Sequence, residues 1–181
     1  MEDFILKLVR EAIETYVKTG KKISIPKNYP EKLNDKRGVF ITIYKKSELR
    51  GCIGLPYPEK PLIEGLIEAS VSVCSDPRFE SLKKEELKDI LIEVSVLTNP
   101  ELIKVSKPTD FFEKIEIGKH GLIIIKGLQG GLFLPKVPVE QNWNIEEYLE
   151  NLCYKAGLLA DDWLDPKSKI YRFEADIFQE K

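Results

Sequence analysis

Apolar side chains at Phe4, Ile5, Leu8, Val9, Ala12, Ile13, Tyr16 and Val17 recur at the spacing of one helix face, and Gly20 closes the run as a C-terminal cap would. Residues 21–37 carry two prolines and no clear period, so they read as a loop, long enough to wrap or cover something. Residues 39–44 have the composition of a strand, residues 45–48 of a polar turn, and residues 49–55 of a second strand, which together predict a hairpin. Pro61 opens a helix that is apolar nearly all round, as a buried helix is, and Ser75-Asp76-Pro77-Arg78-Phe79 breaks it. After a short helix near residues 84–88, residues 90–97 form a strand with Ile90, Ile92, Val94 and Val96 on one face and Glu93 and Ser95 on the other. A short helix over residues 108–114 precedes a second hairpin, residues 121–126 and 132–134, across a glycine-rich turn. Asn144 with Glu147 makes a capping box for a helix that Gly157 ends, and Tyr171, Phe173, Ala175 and Ile177 alternate along one closing strand. Helices and strands mix without strict βαβ alternation, so the fold class is α+β with a largely antiparallel sheet flanked by helices.

Composition narrows this picture. Hydrophobic residues make up 43% and charged residues 32% of 181 residues, which describes a globular chain of one domain, or one domain with two lobes. The net charge of −2 gives no general attraction to nucleic acid, which is not expected as a partner. The opening Met1-Glu2-Asp3-Phe4 is acidic where an export signal would be basic, and apolar runs such as residues 121–125 are too short to span a bilayer. A cytoplasmic protein with no membrane partner is the expectation. Cys52, Cys74 and Cys153 are odd in number and lack C-x-x-C spacing, which argues against a disulfide framework and a structural zinc site. With His120 the sole histidine, neither a metal nor a cofactor is expected.

Candidate chemistry centres on Leu49-Arg50-Gly51-Cys52-Ile53-Gly54. On a strand alternate side chains share a face, so Arg50 and Cys52 point together while Leu49 and Ile53 point the other way, and a guanidinium near the sulfur favours the thiolate. Gly51 and Gly54 would leave backbone open to a ligand beside Ile53; otherwise they serve tight packing or a bulge. Cys74 and Cys153 fall on apolar helix faces and read as core. Glu93, inside an apolar strand, needs a donor, a cleft or a solvated face, and Arg50 or Arg78 could be the donor. His120, before a glycine at a strand entrance, reads as a surface turn residue. Beyond Glu93, Glu140 and His120 no general base stands out, and no nucleotide or triad motif is present.

The runs Arg37-Gly38-Val39-Phe40-Ile41-Thr42 and Leu49–Gly54, with Asp76-Pro77-Arg78-Phe79, Glu93-Val94-Ser95-Val96-Leu97, Gly121-Leu122-Ile123-Ile124, residues 132–143 and Cys153-Tyr154-Lys155-Ala156-Gly157-Leu158, resemble the AMMECR domain family over nearly the whole chain. The resemblance implies a single such domain over residues 1–181 with two subdomains and a cleft, a functional site at the hexapeptide, and no established activity. It also implies Memo-type and radical-SAM proteins as partners in a modification pathway. Lys136 stands where the family pattern has glutamine. Two functions remain open: a binding or pathway-accessory domain in which the hexapeptide, with Arg78, Glu93, His120 and Glu140, holds a small ligand or protein partner, and a thiol-dependent enzyme using Cys52 with Arg50.

Overall fold

The amphipathic stripe at the start of the chain forms α1 (Glu2–Thr19), which buries Ile5, Leu8, Val9, Ala12 and Ile13. Gly20 ends it in the left-handed region, φ 71°, and donates its N–H to the Tyr16 carbonyl. The computed structural model describes all 181 residues in two units, residues 1–99 with 176–181, and residues 100–175.

In the first unit, β1 (Val39–Lys45) and β2 (Glu48–Leu55) form the predicted hairpin, and β1 also pairs antiparallel with β3 (Ile90–Leu97). Lys46 and Ser47 turn the hairpin with φ 53° and 65°, a primed two-residue turn whose twist matches the strands. A C-terminal strand completes the sheet in the order β2-β1-β3-β8, where β8 is Ala175–Gln179. One sheet face, including Ile41, Ile43, Ile92 and Val94, is buried in the same core as α1 and α2 (Leu62–Val73). The long segment of residues 21–37 is not all loop: Glu31–Asn34 winds into a 3-10 turn that buries Leu33.

The second unit has its own sheet, in the order β4-β7-β5-β6, from β4 (Glu101–Leu102), β5 (Gly121–Lys126), β6 (Gln129–Phe133) and β7 (Lys169–Phe173). Three helices belong to it: α3 (Phe111–Lys114), α4 (Lys136–Glu140) and α5 (Ile145–Lys155). The Asn144 side chain accepts the Glu147 N–H and the Glu147 side chain accepts the Asn144 N–H, the capping box the sequence announces. Tyr148, Leu149, Leu152 and Cys153 pack from α5 onto Leu122 and Ile124.

The class is therefore α+β, with the antiparallel strands divided between two helix-flanked sheets. Two local readings are corrected. The closing strand is two strands, because the chain breaks pairing at Glu174: β7 joins one sheet and β8 the other. Gly130 and Gly131 are not in the turn of the second hairpin but within β6, and Gly127-Leu128 makes the turn. No helix is long and apolar enough to cross a membrane.

Candidate functional site

The hexapeptide occupies the edge strand β2, and its geometry turns on one irregularity. Tyr44 pairs with Leu49 and Ile43 with Gly51, which leaves Arg50 as the extra residue of a β-bulge. The bulge breaks the alternation that would have placed Arg50 beside Cys52. Arg50 instead joins Lys45 on the carboxylate of Glu86: Nε and Nη2 reach Oε1 and Oε2 at 3.1 and 3.0 Å, and Lys45 Nζ reaches Oε1 at 2.8 Å. Cys52 pairs with Thr42 and accepts its hydroxyl at 3.3 Å. Thr42 and Lys45 lie three residues apart on β1 and so project to opposite faces, which separates Arg50 from Cys52. The Arg50 guanidinium, with help from Lys45 and the Lys83 N–H, holds the Glu86 carboxyl down at about 2.

A second carboxylate serves Cys52 itself. The outward N–H of Cys52, on the open side of β2, donates to Asp76 Oδ2 at 2.9 Å, and its carbonyl accepts Arg78 Nη2 at 3.0 Å. Asp76 and Arg78 are joined by a two-point fork, Nε to Oδ1 at 3.1 Å and Nη2 to Oδ2 at 2.7 Å, and the Arg78 N–H closes an Asx turn onto Oδ1 at 3.0 Å. Asp76 is 1% exposed and Arg78 is 56% exposed, so the clasp has a buried anion and an open cation. The Arg78 guanidinium is the main reason the Asp76 carboxyl falls to about 2. Arg78 is thus committed to Asp76 and Cys52, and Arg50 to Glu86, which removes the basis for assigning either to Glu93.

Cys52, Thr42 and Glu93 form one cross-strand row on the face of the sheet opposite the α1–α2 core. With strands ~4.8 Å apart, Cys52 and Glu93 stand about 10 Å from each other across Thr42. Cys52 is half-buried, whereas Thr42, Glu93 and Ser95 are all buried, which excludes the solvated-face reading of Glu93. Ser95 lies on the same face, two residues beyond Glu93, and its buried hydroxyl has no hydrogen-bond partner.

The two glycines have packing reasons. A Cβ on Gly54 would sit 2.3 Å from the ring of Phe40, its cross-strand partner. One on Gly51 would press on the Val73 carbonyl at 3.2 Å, where α2 ends against the strand. Ile53 turns to the core side and packs against the apolar cluster. Of the hexapeptide, Leu49 is 42% exposed, and Arg50, Cys52 and Ile53 are half-buried.

His120 and Glu140 belong to the second unit. His120 is buried rather than on a surface turn: its Nδ1 accepts the Glu116 N–H at 3.0 Å, and burial, reinforced by Arg172 and Lys119, pushes its pKa down. Glu140 is exposed at the end of α4. Cys74 and Cys153 are core residues, and burial raises their thiols to about 12 and about 11. No group of three or more His, Cys, Asp or Glu is arranged to hold a metal ion. The residues that sequence reasoning missed are Thr42, Asp76 and Glu86. Asp76 carried a signal, an Asp-Pro break followed by an arginine, whereas the surface-like run Lys84-Glu85-Glu86 gives no sign that one carboxylate turns inward.

Comparison with known proteins agrees along the chain. The AMMECR1 family model matches residues 6–178. Protein MJ0810 of Methanocaldococcus jannaschii is 54% identical over 180 residues, covering 98% of this chain and 89% of that protein. Protein PYRAB00100 of Pyrococcus abyssi is 48% identical over 185 residues, covering 99% and 90%. The crystal structure of the uncharacterized protein PH0010 from Pyrococcus horikoshii superposes with a TM-score of 0.92 at 48% identity, covering 98% of this chain and 90% of that one.

Proposed function

The chain belongs to the AMMECR1 family, and from that premise we propose a binding or pathway-accessory domain whose functional patch, Leu49–Gly54, holds a small ligand or a protein partner. The observation that carries this reading is the clasp: Asp76 and Arg78 fix both main-chain groups of Cys52, while its side chain stays half-exposed. Rigid support beneath an accessible side chain is what recognition needs, since the ordering cost is met before the partner arrives. The thiol-enzyme alternative is less well supported, because Arg50 is engaged by Glu86 and the row offers Thr42, not a base, next to the sulfur. The partner class is a Memo-type protein or a radical-SAM protein, met in the cytoplasm.

The test pairs stability with binding. Cys52→Ser and Cys52→Ala are expected to melt within about 3 °C of the parent, as accessible positions do, and to weaken binding to a purified Memo-type protein in calorimetry. In a short pulse of iodoacetamide Cys52 should label ahead of Cys74 and Cys153, and the partner should slow that labelling. Large melting losses in both variants with unchanged binding would make the hexapeptide scaffold and overturn the reading.

A further inference from the structure

A different pocket, in the second unit, is built from residues that the Cys52 patch does not use. Its volume is about 460 Å³, within the range of small-molecule sites. The floor is apolar and buried: Ile103, Phe111, Trp163 and Ile170. Phe111 and Phe112 meet the Trp163 ring edge-on, each with centroids 6.1 Å apart, which fixes the indole plane. Leu102 and Leu164, 44% and 45% exposed, stand in the walls, so apolar surface continues from the floor to the mouth.

The charged side chains that line this pocket are three lysines and one carboxylate. Lys104, Lys107 and Lys169 line it, all exposed, and none makes a close ion pair, although Asp110 lies near enough to Lys107 to have its carboxyl pKa lowered by it. The carboxylate in the lining, Asp165, is held by Lys126 Nζ at 2.7 Å, a cation it shares with Asp162. An aromatic floor with unpaired ammonium groups above it complements a molecule that is apolar at one end and anionic at the other. We propose that this pocket binds a small organic acid, an aromatic or branched apolar body carrying one carboxylate, with the body against Trp163 and the carboxylate among Lys104, Lys107 and Lys169.

The probe is 2-naphthoate, with 2-naphthol as its neutral counterpart and 2-naphthylmethylamine as its cationic one, titrated into the full chain labelled with nitrogen-15. The indole N–H resonances of Trp143 and Trp163 are assigned with Trp143→Phe. 2-Naphthoate should shift the Trp163 resonance saturably and leave Trp143 unmoved, while 2-naphthol should bind about tenfold more weakly and the amine not at all. The triple variant Lys104→Gln, Lys107→Gln, Lys169→Gln changes only exposed side chains and should weaken 2-naphthoate about tenfold, as the loss of two or three exposed ion pairs does. Equal affinity for the three probes, unchanged affinity in the triple variant, or no Trp163 response at ~1 mM 2-naphthoate would each overturn the proposal.

Discussion

The β1–β2 and β5–β6 hairpins solve the same packing problem with different chemistry. In each, a glycine of one strand seats the ring of a cross-strand phenylalanine, Gly54 beneath Phe40 inside the first hairpin and Gly121 of β5 beneath Phe173 of the neighbouring strand β7, with a hypothetical Cβ 2.3 Å from the ring in both cases. In each, a second glycine on the later strand lets a helix end approach, Gly51 against Val73 of α2 and Gly131 against the Ala156 backbone at the end of α5. The differences lie in register and in charge. The β5–β6 pairing runs without a shift from Leu122 to Lys126, while the β1–β2 pairing is bulged at Arg50. The outer strand β6 is tied to the end of α5 by a neutral contact, Gln129 Nε2 to the Gly157 carbonyl at 2.7 Å; β2 is held by the ionised Asp76–Arg78 clasp. Glycines in a strand can therefore mark packing alone, and it is the bulge and the clasp, not the glycines, that set the Cys52 region apart.

The largest test of that equivalence is at the phenylalanine seats. Phe173 is 2% exposed and has nowhere to swing, whereas Phe40 is half-buried. Gly121→Ala should therefore cost about 3 kcal/mol and Gly54→Ala about 1 kcal/mol, read from urea unfolding midpoints. Equal losses would mean that the Phe40 ring is as confined as Phe173.

The next effect separates the ionised hold on β2 from the neutral one on β6. The Asp76 carboxyl lies at about 2 against an ordinary 3.8. A carboxyl whose folded pKa is depressed stabilises fully above its unfolded value and loses that contribution as pH falls towards the folded value. Asp76 should therefore contribute about 2 kcal/mol above pH ~4 that fades between pH ~4 and ~2, with Glu86 adding loss over a similar window. Asp76→Asn should be less stable at pH 7 and show a shallower acid dependence in stability profiles. Gln129→Ala, on the neutral side, should leave the acid dependence unchanged. A parental slope retained in Asp76→Asn would show that the clasp does not set it.

The smallest effect is at the turns. Lys46 and Ser47 both hold positive φ without being glycine, whereas the β5–β6 turn places Gly127 at φ 62°. Ser47→Gly should raise stability by roughly 0.5–1 kcal/mol by relieving the left-handed penalty, and Gly127→Ala should lower it by roughly 1 kcal/mol. Thermal midpoints moving the other way would contradict the turn assignment.

Most of the fold was legible because its signals are local. The stripe of α1, the Asn144 capping box and the two hairpins follow from spacing and from residues that favour caps and strands. The division of the closing segment was not, since Tyr171, Phe173, Ala175 and Ile177 alternate correctly for one strand or for two, and pairing partners decide. At the candidate site the sequence singled out Cys52 and misplaced Arg50 beside it. Alternation rules assume an unbroken ladder, and nothing in Leu49-Arg50-Gly51 says that one residue is looped out. Asp76 was read as a helix breaker, which it is, but its second task depends on α2 ending beside an edge strand. That is a tertiary fact.

The clasp also bears on how this chain avoids its own kind. β2 is an edge strand, and an edge strand with free N–H and C=O groups is a template on which another chain can grow. At Cys52 both outward groups are already taken, one by a carboxylate and one by a guanidinium, in the middle of the strand where an incoming ladder would have to pass. A peptide seeking to add itself to this sheet would have to strip away a buried ion first. The surface is thereby closed to indiscriminate strand addition, and a partner is left to engage side chains rather than backbone.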